Sequence, residues 1–136
     1  MSTPADRWID AWFRAWTEHD PEALAPVYAA GPVHRSEPFR ERQEPQLYAA
    51  WAFSDETDAE VWFRSPGAEG GDSAACEWWA ISRDGAGEAV TLAGVSLLRF
   101  DAAGRVVDQR DYWSQHAGAR RPPEDWLPAA KHGSTR

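Results

Sequence analysis

The sequence predicts an α+β domain in which about three N-terminal helices pack against one face of a curved antiparallel sheet. Two observations carry this prediction. Up to residue 53, apolar residues recur at the three- and four-residue spacing of amphipathic helices, and strand-like runs separated by turn-rich breaks follow from residue 60. The length of 136 residues suits a single domain with one core.

The first helix is predicted to begin at Thr3. This residue has the N-cap type, Pro4 suits the first helical position, and Asp6 supplies the acid that completes a capping box. The apolar stripe that follows is typical of a helix facing a core. It consists of Trp8, Ile9, Trp12, Phe13 and Trp16.

Two shorter helices and a strand are predicted next. The second helix starts after Asp20, and Gly31-Pro32 would end it, because glycine closes helices and proline cannot continue them. A short first strand is expected over residues 33–39. A third helix is expected over residues 45–53.

The second half of the chain predicts a meander of strands, because its runs are rich in β-branched and aromatic residues. Turn residues separate the runs, and two of the breaks are typical of hairpins. The predicted strands cover residues 60–64, 74–83, 89–101 and 106–114. We therefore assign the domain to residues 1–115 and expect a Pro-rich polar tail over residues 116–136.

Charge and composition exclude several classes of protein. The net charge of −8 argues against a nucleic-acid partner and against an anionic membrane surface, because phosphate binding needs positive charge. Cys76 is the single cysteine, so an intramolecular disulfide and a cysteine-based metal cluster are excluded. No signal-like N-terminus and no apolar run of roughly 18 residues is present, so we expect a cytoplasmic protein.

The nine tryptophans predict either a very aromatic core or an aromatic-lined cavity. Helix spacing and strand parity assign most of them to a common interior. The predicted lining consists of Trp12, Trp16, Tyr28, Trp51, Phe53, Trp79 and Trp113. Trp126 lies in the tail and would form a lid or a dimer contact.

Four stretches of the chain resemble the nuclear transport factor 2-like superfamily, and within it the SnoaL-like polyketide-cyclase branch. They are residues 12–24, 33–39, 76–79 and 98–113, and the resemblance covers roughly residues 6–115. It implies a cone-shaped α+β fold with a deep pocket at its open mouth, no cofactor, and often a homodimer formed through the outer sheet face. The superfamily includes isomerases, cyclases, epoxide hydrolases and binding proteins, so the site must decide the function.

Asp111 is the first candidate catalytic residue. On the last predicted strand it shares a face with Gln109 and Trp113, and this face is predicted to point inward. Loss of water among indole rings favours proton uptake by a carboxylate, as a general base working near neutral pH requires. In related branches an acid at this strand position takes part in acid–base catalysis, and the resemblance implies the same for Asp111. The alternative is a structural acid, hydrogen-bonded locally or paired with Arg110.

Glu37 and Glu77 are the candidate second acids. Glu37-Pro38 resembles the Asp-Pro of ketosteroid isomerases, whose acid shuttles the proton. The alternative is an exposed acid paired with Arg35 or Arg40. Glu77 stands where limonene epoxide hydrolases have an Arg and an Asp two residues apart, and it would serve if it faced inward.

Three further polar residues are candidate ligand contacts. Trp12 and Ser96 occupy the positions of the isomerase oxyanion donors, but an indole N–H and a hydroxyl donate more weakly, so a true ketosteroid isomerase is not expected. His34 is interpreted as a hydrogen-bonded structural residue or a ligand contact. No spacing supports a metal site, and none is predicted.

The sequence therefore predicts an enzyme that uses a buried carboxylate for isomerisation, cyclisation or epoxide hydrolysis of a hydrophobic small molecule. Two alternatives remain. One is a non-catalytic binding or accessory protein with the same pocket, and the other is a dimeric interaction module whose pocket its own side chains fill.

Overall fold

A computed structural model describes residues 2–135 of the chain. Within them lie two α-helices, a 3₁₀ helix and seven strands, so the predicted α+β class with three helices is confirmed. In chain order the elements are α1 (Pro4–Glu18), the 3₁₀ helix (Pro21–Val27), β1 (Tyr28–Arg35), α2 (Pro45–Phe53), β2 (Thr57–Phe63), β3 (Gly67–Gly70), β4 (Ser73–Arg83), β5 (Ala89–Phe100), β6 (Val106–Ala117) and β7 (Lys131–Ser134).

The strands form one large curved sheet that does not close on itself. Its order is β1-β6-β5-β4-β2-β7, with β3 paired to β4 at the side. The long β4–β5 and β5–β6 pairs are antiparallel hairpins, as the turn residues between them predict. The sheet is nevertheless mixed, because β1 lies parallel to β6. β1 and β6 are far apart in the sequence and no turn joins them. Their parallel pairing could therefore not be predicted from the local sequence patterns.

Helix α1 follows from its sequence. The Thr3 hydroxyl oxygen accepts a hydrogen bond from the backbone N–H of Asp6, and the Asp6 carboxylate accepts one from the backbone N–H of Thr3, which completes the predicted capping box. The helix ends at His19, whose backbone is left-handed with φ of +50°. Its apolar face is buried at Ala5, Trp8, Ile9, Trp12, Ala15 and Trp16. This stripe forms the helical half of the core against the sheet.

The structure corrects the segment that follows. Tyr28 begins β1 instead of belonging to the second helix, and Gly31-Pro32 lies inside the strand, where the register with β6 shifts. The strand ends at Arg35, before the predicted end at residue 39. Hydrogen bonds explain the change, because the Tyr28 hydroxyl is held by buried groups of α1 and β6.

The segment predicted to be a polar tail contains regular secondary structure. Strand β6 runs to Ala117, and Lys131–Ser134 adds β7 to the sheet edge beside β2. His132 stacks on Trp62, with ring centroids 4.7 Å apart and planes inclined by 10°. A four-residue strand with mixed polarity carries almost no period-2 signal, which explains why it was not predicted.

Gly94 sets the spacing between β5 and β6. It lies opposite Trp113, and a Cβ atom at position 94 would come within 2.3 Å of the Tyr112 carbonyl oxygen and 2.5 Å of Trp113 Cβ. Glycine is therefore required for this close approach.

Candidate active site

A cavity of about 310 Å³ opens between the two α-helices and the inner face of the sheet. Nine aromatic side chains line it: Trp8, Trp12, Trp16, Tyr48, Trp51, Phe53, Phe63, Trp78 and Trp113. The polar and charged residues of the wall are Arg40, Ser54, Asp55, Glu56, Ser96, Gln109, Asp111 and Gln115. A concave wall that combines aromatic surface with polar groups is typical of a small-molecule site.

Asp111 lies on the inner face of β6, as strand parity predicts, and is 7% exposed. Its Oδ1 accepts hydrogen bonds from the Ser96 hydroxyl at 2.7 Å and from the Gln109 amide at 3.0 Å. The Ser96 oxygen in turn accepts the indole N–H of Trp78 at 3.1 Å. Both bonds go to one oxygen, and Oδ2 accepts no hydrogen bond from the described residues.

A second chain of hydrogen bonds reaches Asp111 from α1. The Trp8 indole can only donate, and its nitrogen lies 2.9 Å from Gln109 Oε1, which fixes the orientation of that amide. The Tyr28 hydroxyl also donates to Oε1, and it accepts the Trp12 indole N–H at 2.7 Å. Burial raises the pKa of Tyr28 far above its ordinary value, so the hydroxyl keeps its proton. The N–H and O–H groups of this hydrogen-bond network therefore all donate in the direction of Asp111.

His34 lies behind Asp111 and is fully buried. Its Nδ1 lies 2.9 Å from the backbone carbonyl of Gln43, an acceptor, so Nδ1 carries a hydrogen. Its Nε2 has no hydrogen-bond partner among residues 2–135 and lies 3.5 Å from Asp111 Oδ2. A bare nitrogen lone pair facing a carboxylate is repulsive, whereas one proton on either atom makes the contact favourable. His34 Nε2 and Asp111 Oδ2 are thus the two atoms of this pair that no hydrogen bond engages.

Glu56 is the acid that sequence reasoning missed. It lies between α2 and β2, and its Oε1 accepts the indole N–H of Trp16 at 2.8 Å. Burial raises the pKa of Glu56 to about 7, while hydrogen bonds from Trp16 and Ser82 act in the opposite direction. A single acid between a helix and a strand carries no sequence pattern, and the rule that a buried indole N–H needs an acceptor does not say which residue supplies it.

Arg40 and Tyr48 complete the mouth of the cavity. The Arg40 guanidinium lies 5.0 Å from the ring centre of Trp51 and 6.0 Å from that of Trp113, so it spans the two sides of the opening. Burial, with the negative charge of Asp111 as a smaller cause, raises the pKa of Tyr48 to about 12. Tyr48 is therefore a hydroxyl donor at neutral pH.

The two other acids predicted to act with Asp111 lie outside this cavity. Glu37 follows β1 and accepts a hydrogen bond from its neighbouring backbone at Phe39, and its carboxylate lies 3.8 Å from Arg40. Glu77 is exposed on β4 and pairs with Arg64 at 3.3 Å. The expectation that either acid converges on Asp111 is therefore corrected.

The alternation of inner and outer residues along β4 places Trp79, a predicted wall residue, outside the cavity. Cys76 and Trp78 are buried on the inner face, so Glu77 and Trp79 point to the outer face. Trp79 donates its indole N–H to the carbonyl of Arg120 at 2.8 Å, and its ring contacts Trp126 of the C-terminal segment. Trp126 thus covers the outer sheet face and forms no lid on the cavity.

The remaining predicted residues come together around the cavity. Trp12, Trp16, Trp51, Ser96 and Trp113 line it. Tyr28 and His34 lie just behind this wall and reach it through hydrogen bonds and close contacts.

No three His, Cys, Asp or Glu side chains of residues 2–135 are grouped as a metal site would require. Neither α-helix of this part of the chain is long and apolar enough to cross a membrane.

Comparisons with solved structures give the fold. An LEH-like epoxide hydrolase of M. tuberculosis is 18% identical, with a TM-score of 0.62, over 82% of this chain and 83% of the other. The Δ5-3-ketosteroid isomerase of Mycobacterium sp. is 17% identical, with a TM-score of 0.59, over 83% and 95%. A computationally designed 17-OHP binder is 20% identical, with a TM-score of 0.67, over 86% and 100%.

The neighbours therefore include isomerases, epoxide hydrolases and a binding protein on one NTF2-like cone fold. No curated protein matches the chain significantly. The family model of the SnoaL-like domain matches residues 9–109, which run from α1 into the start of β6 and end two residues before Asp111. The chain belongs to the SnoaL-like domain family.

Proposed function

We propose that the protein is an enzyme that transfers protons to and from a hydrophobic small molecule, with Asp111 as the catalytic acid and base. The observation that carries the proposal is the Asp111 carboxylate itself. Oδ1 is fixed by Ser96 and Gln109, while Oδ2 lies beside the unpartnered Nε2 of His34 at the wall of an aromatic cavity. A buried carboxyl group with one fixed and one available oxygen suits proton transfer.

The proposed chemistry uses the carboxyl group of Asp111 first as a proton acceptor and then as a proton donor. As a carboxylate, Asp111 takes a proton from a substrate carbon next to a carbonyl, or from a water that attacks an epoxide. As an acid, it returns that proton to another atom of the substrate. The His34 ring offers a second position for the proton and so stabilises either charge state of Asp111. Isomerisation, cyclisation and epoxide opening all use such a transfer, and a carboxyl group performs it without a cofactor.

The shape and polarity of the cavity support a flat, hydrophobic substrate. Six indole rings line the cavity, and rings of this size stack on planar ligands. Arg40 adds a positive charge at the mouth, close to Trp51 and Trp113. A substrate with an apolar body and a carbonyl or epoxide oxygen fits this set of groups.

A binding protein without catalysis is the second candidate. One observation favours it: Asp111 Oδ1 already accepts two hydrogen bonds from buried donors, as a purely structural acid would. The designed 17-OHP binder shares the fold. A binding protein would quench tryptophan fluorescence with hydrophobic ligands and release every ligand unchanged.

The two candidates are separated by a panel of flat hydrophobic ketones and epoxides, incubated with the wild type and with Asp111→Asn. An enzyme of the proposed kind gives products by mass spectrometry that the variant forms about 10²- to 10⁴-fold more slowly. Binding without products favours the second candidate. Equal turnover by both proteins contradicts the role of Asp111.

A further inference from the structure

We propose that Glu56 is a second acid–base group of this cavity and donates a proton or hydrogen bond to an oxygen atom of the bound molecule. Nothing in the sequence pattern or in the family resemblance pointed to this residue. Its use in catalysis rests on the function proposed above, whereas its use in binding does not.

The position of the side chain is the first support. Glu56 lines the same cavity as Asp111, and its side chain is 12% exposed. The Trp16 indole, itself part of the wall, holds Oε1 at 2.8 Å. This contact anchors the carboxyl group at the cavity surface. Hydrogen bonds from Trp16 and Ser82 satisfy only part of a carboxyl group, which has further acceptor positions and, when protonated, one donor.

The surroundings of Glu56 hold few compensating charges. His19, at the end of α1, brings Nε2 to 3.7 Å from Oε1, beyond hydrogen-bonding distance, and stacks on Phe53. Asp55 precedes Glu56, Tyr48 faces it from α2, and the uncharged Ser82 bonds it from β4. No Lys or Arg nitrogen of residues 2–135 lies within 4.0 Å of the Glu56 carboxyl oxygens.

These surroundings explain the protonation of Glu56. Burial raises its pKa to about 7, so a large share of the molecules carry the neutral acid at physiological pH. A neutral carboxylic acid donates one hydrogen bond, which an ionised one cannot do. Asp111 and Glu56 share no hydrogen-bonding partner, so the two carboxyl groups are held independently of each other.

The pair would act on a ketone in complementary steps. Asp111 removes a proton from the carbon beside the carbonyl, and the electrons of that C–H bond form the new C=C bond. The carbonyl π electrons move to oxygen, which takes the proton of Glu56. The products are an enol, protonated Asp111 and ionised Glu56, with the total charge unchanged. Return of a proton to a different carbon completes an isomerisation.

The test compares two ligands that differ in one oxygen: 2-tetralone and its hydrocarbon, 1,2,3,4-tetrahydronaphthalene. Dissociation constants are measured by tryptophan fluorescence at pH 5.5 and pH 8.5. The proteins are the wild type, Glu56→Gln and the matched control Glu88→Gln, which changes an exposed acid in the β4–β5 turn. The glutamine at position 56 keeps an oxygen for Trp16 but cannot ionise.

Wild type and Glu88→Gln should bind the ketone about 5-fold more tightly at pH 5.5, the size of one neutral hydrogen bond. The hydrocarbon should bind equally at both pH values. In Glu56→Gln the ketone should lose this pH dependence. The proposal is overturned if ketone affinity is the same at both pH values, if the pH dependence persists in Glu56→Gln, or if the ketone does not bind. Absence of chemical turnover alone would overturn the enzyme proposal and leave this result standing.

Discussion

His34 Nε2 and Asp111 Oδ2 lie 3.5 Å apart, in a wall where the other atoms of both side chains are already engaged. His34 is tied to the Gln43 carbonyl through Nδ1, and Asp111 is tied to Ser96 and Gln109 through Oδ1. The two remaining atoms face each other, and Asp111 itself lines the cavity. In the proposed function this pair holds a proton and releases it to a ligand.

The hydrogen on Nδ1 of His34 is the first prediction. Because the Gln43 carbonyl can only accept, the neutral ring must carry its hydrogen on Nδ1 and leave Nε2 bare. Long-range ¹⁵N–¹H spectra of the histidine side chains report this tautomer directly. A neutral His34 with its hydrogen on Nε2 alone would contradict the geometry. The exposed His132 serves as the reference signal.

The second prediction concerns the Tyr28 hydroxyl. Tyr28→Phe removes the acceptor of Trp12 Nε1 and a donor to Gln109, and it leaves buried polar groups unpaired. We expect a loss of about 1–3 kcal/mol in the free energy of unfolding, measured with urea. Tyr112→Phe is the control, since Tyr112 lies exposed on the same sheet, and its change should stay within about 0.5 kcal/mol. Equal effects of the two substitutions would show that the buried network adds no stability.

The third prediction is a pH dependence of stability caused by Glu56. Its pKa rises from 4.5 to about 7 on folding, so between these values the folded protein holds a proton that the unfolded chain has lost. The Glu56 contribution to stability therefore falls as pH rises through this window, by up to roughly 3 kcal/mol, and is constant below and above it.

Urea unfolding at pH 4.5, 6 and 8 checks this prediction. Glu56→Gln cannot ionise, so its stability should fall less than that of the wild type across the window, and it should be the more stable protein at pH 8. Glu88→Gln should follow the wild type. Parallel curves for wild type and Glu56→Gln would show that Glu56 ionises normally.

The fourth prediction tests the close approach of β5 and β6. Gly94→Ala would place a methyl group against the Tyr112 carbonyl and Trp113, so one strand must shift. We expect a loss of about 1–3 kcal/mol in the free energy of unfolding. The control is Gly70→Ala in β3, where a Cβ atom meets no atom within 4 Å. A Gly94→Ala protein as stable as the control would mean that the strands are farther apart than described.

Local patterns predicted a large part of this molecule. The capping box at Thr3, the tryptophan stripe of α1 and the inward side of Asp111 follow from helix and strand periods alone. The inner face of strand β4 could not be predicted in the same way. Trp78 and Trp79 are neighbours, so each face of the strand carries an indole and the alternation of side chains does not show which face is buried.

The features that sequence reasoning missed depend on contacts between distant segments. The parallel pairing of β1 with β6 and the addition of β7 beside β2 have no local signal. Glu56 meets Trp16 across 40 positions of the chain, and His34 meets Asp111 across the β1–β6 pair. Only the tertiary fold brings such partners together, and these contacts give the candidate site its chemistry.

The exchange of carbon-bound protons for deuterium tests the role of Asp111 most directly. The probe is 2-tetralone in D₂O, followed by proton NMR with wild type, Asp111→Asn and Asp108→Asn. Asp108 lies on the same strand and pairs with Arg110 outside the cavity, so its substitution should leave exchange unchanged. We predict that wild type and Asp108→Asn accelerate exchange over buffer and that Asp111→Asn slows it about 10²- to 10⁴-fold. Equal exchange by wild type and Asp111→Asn would contradict the assignment of Asp111 as the proton-transferring residue.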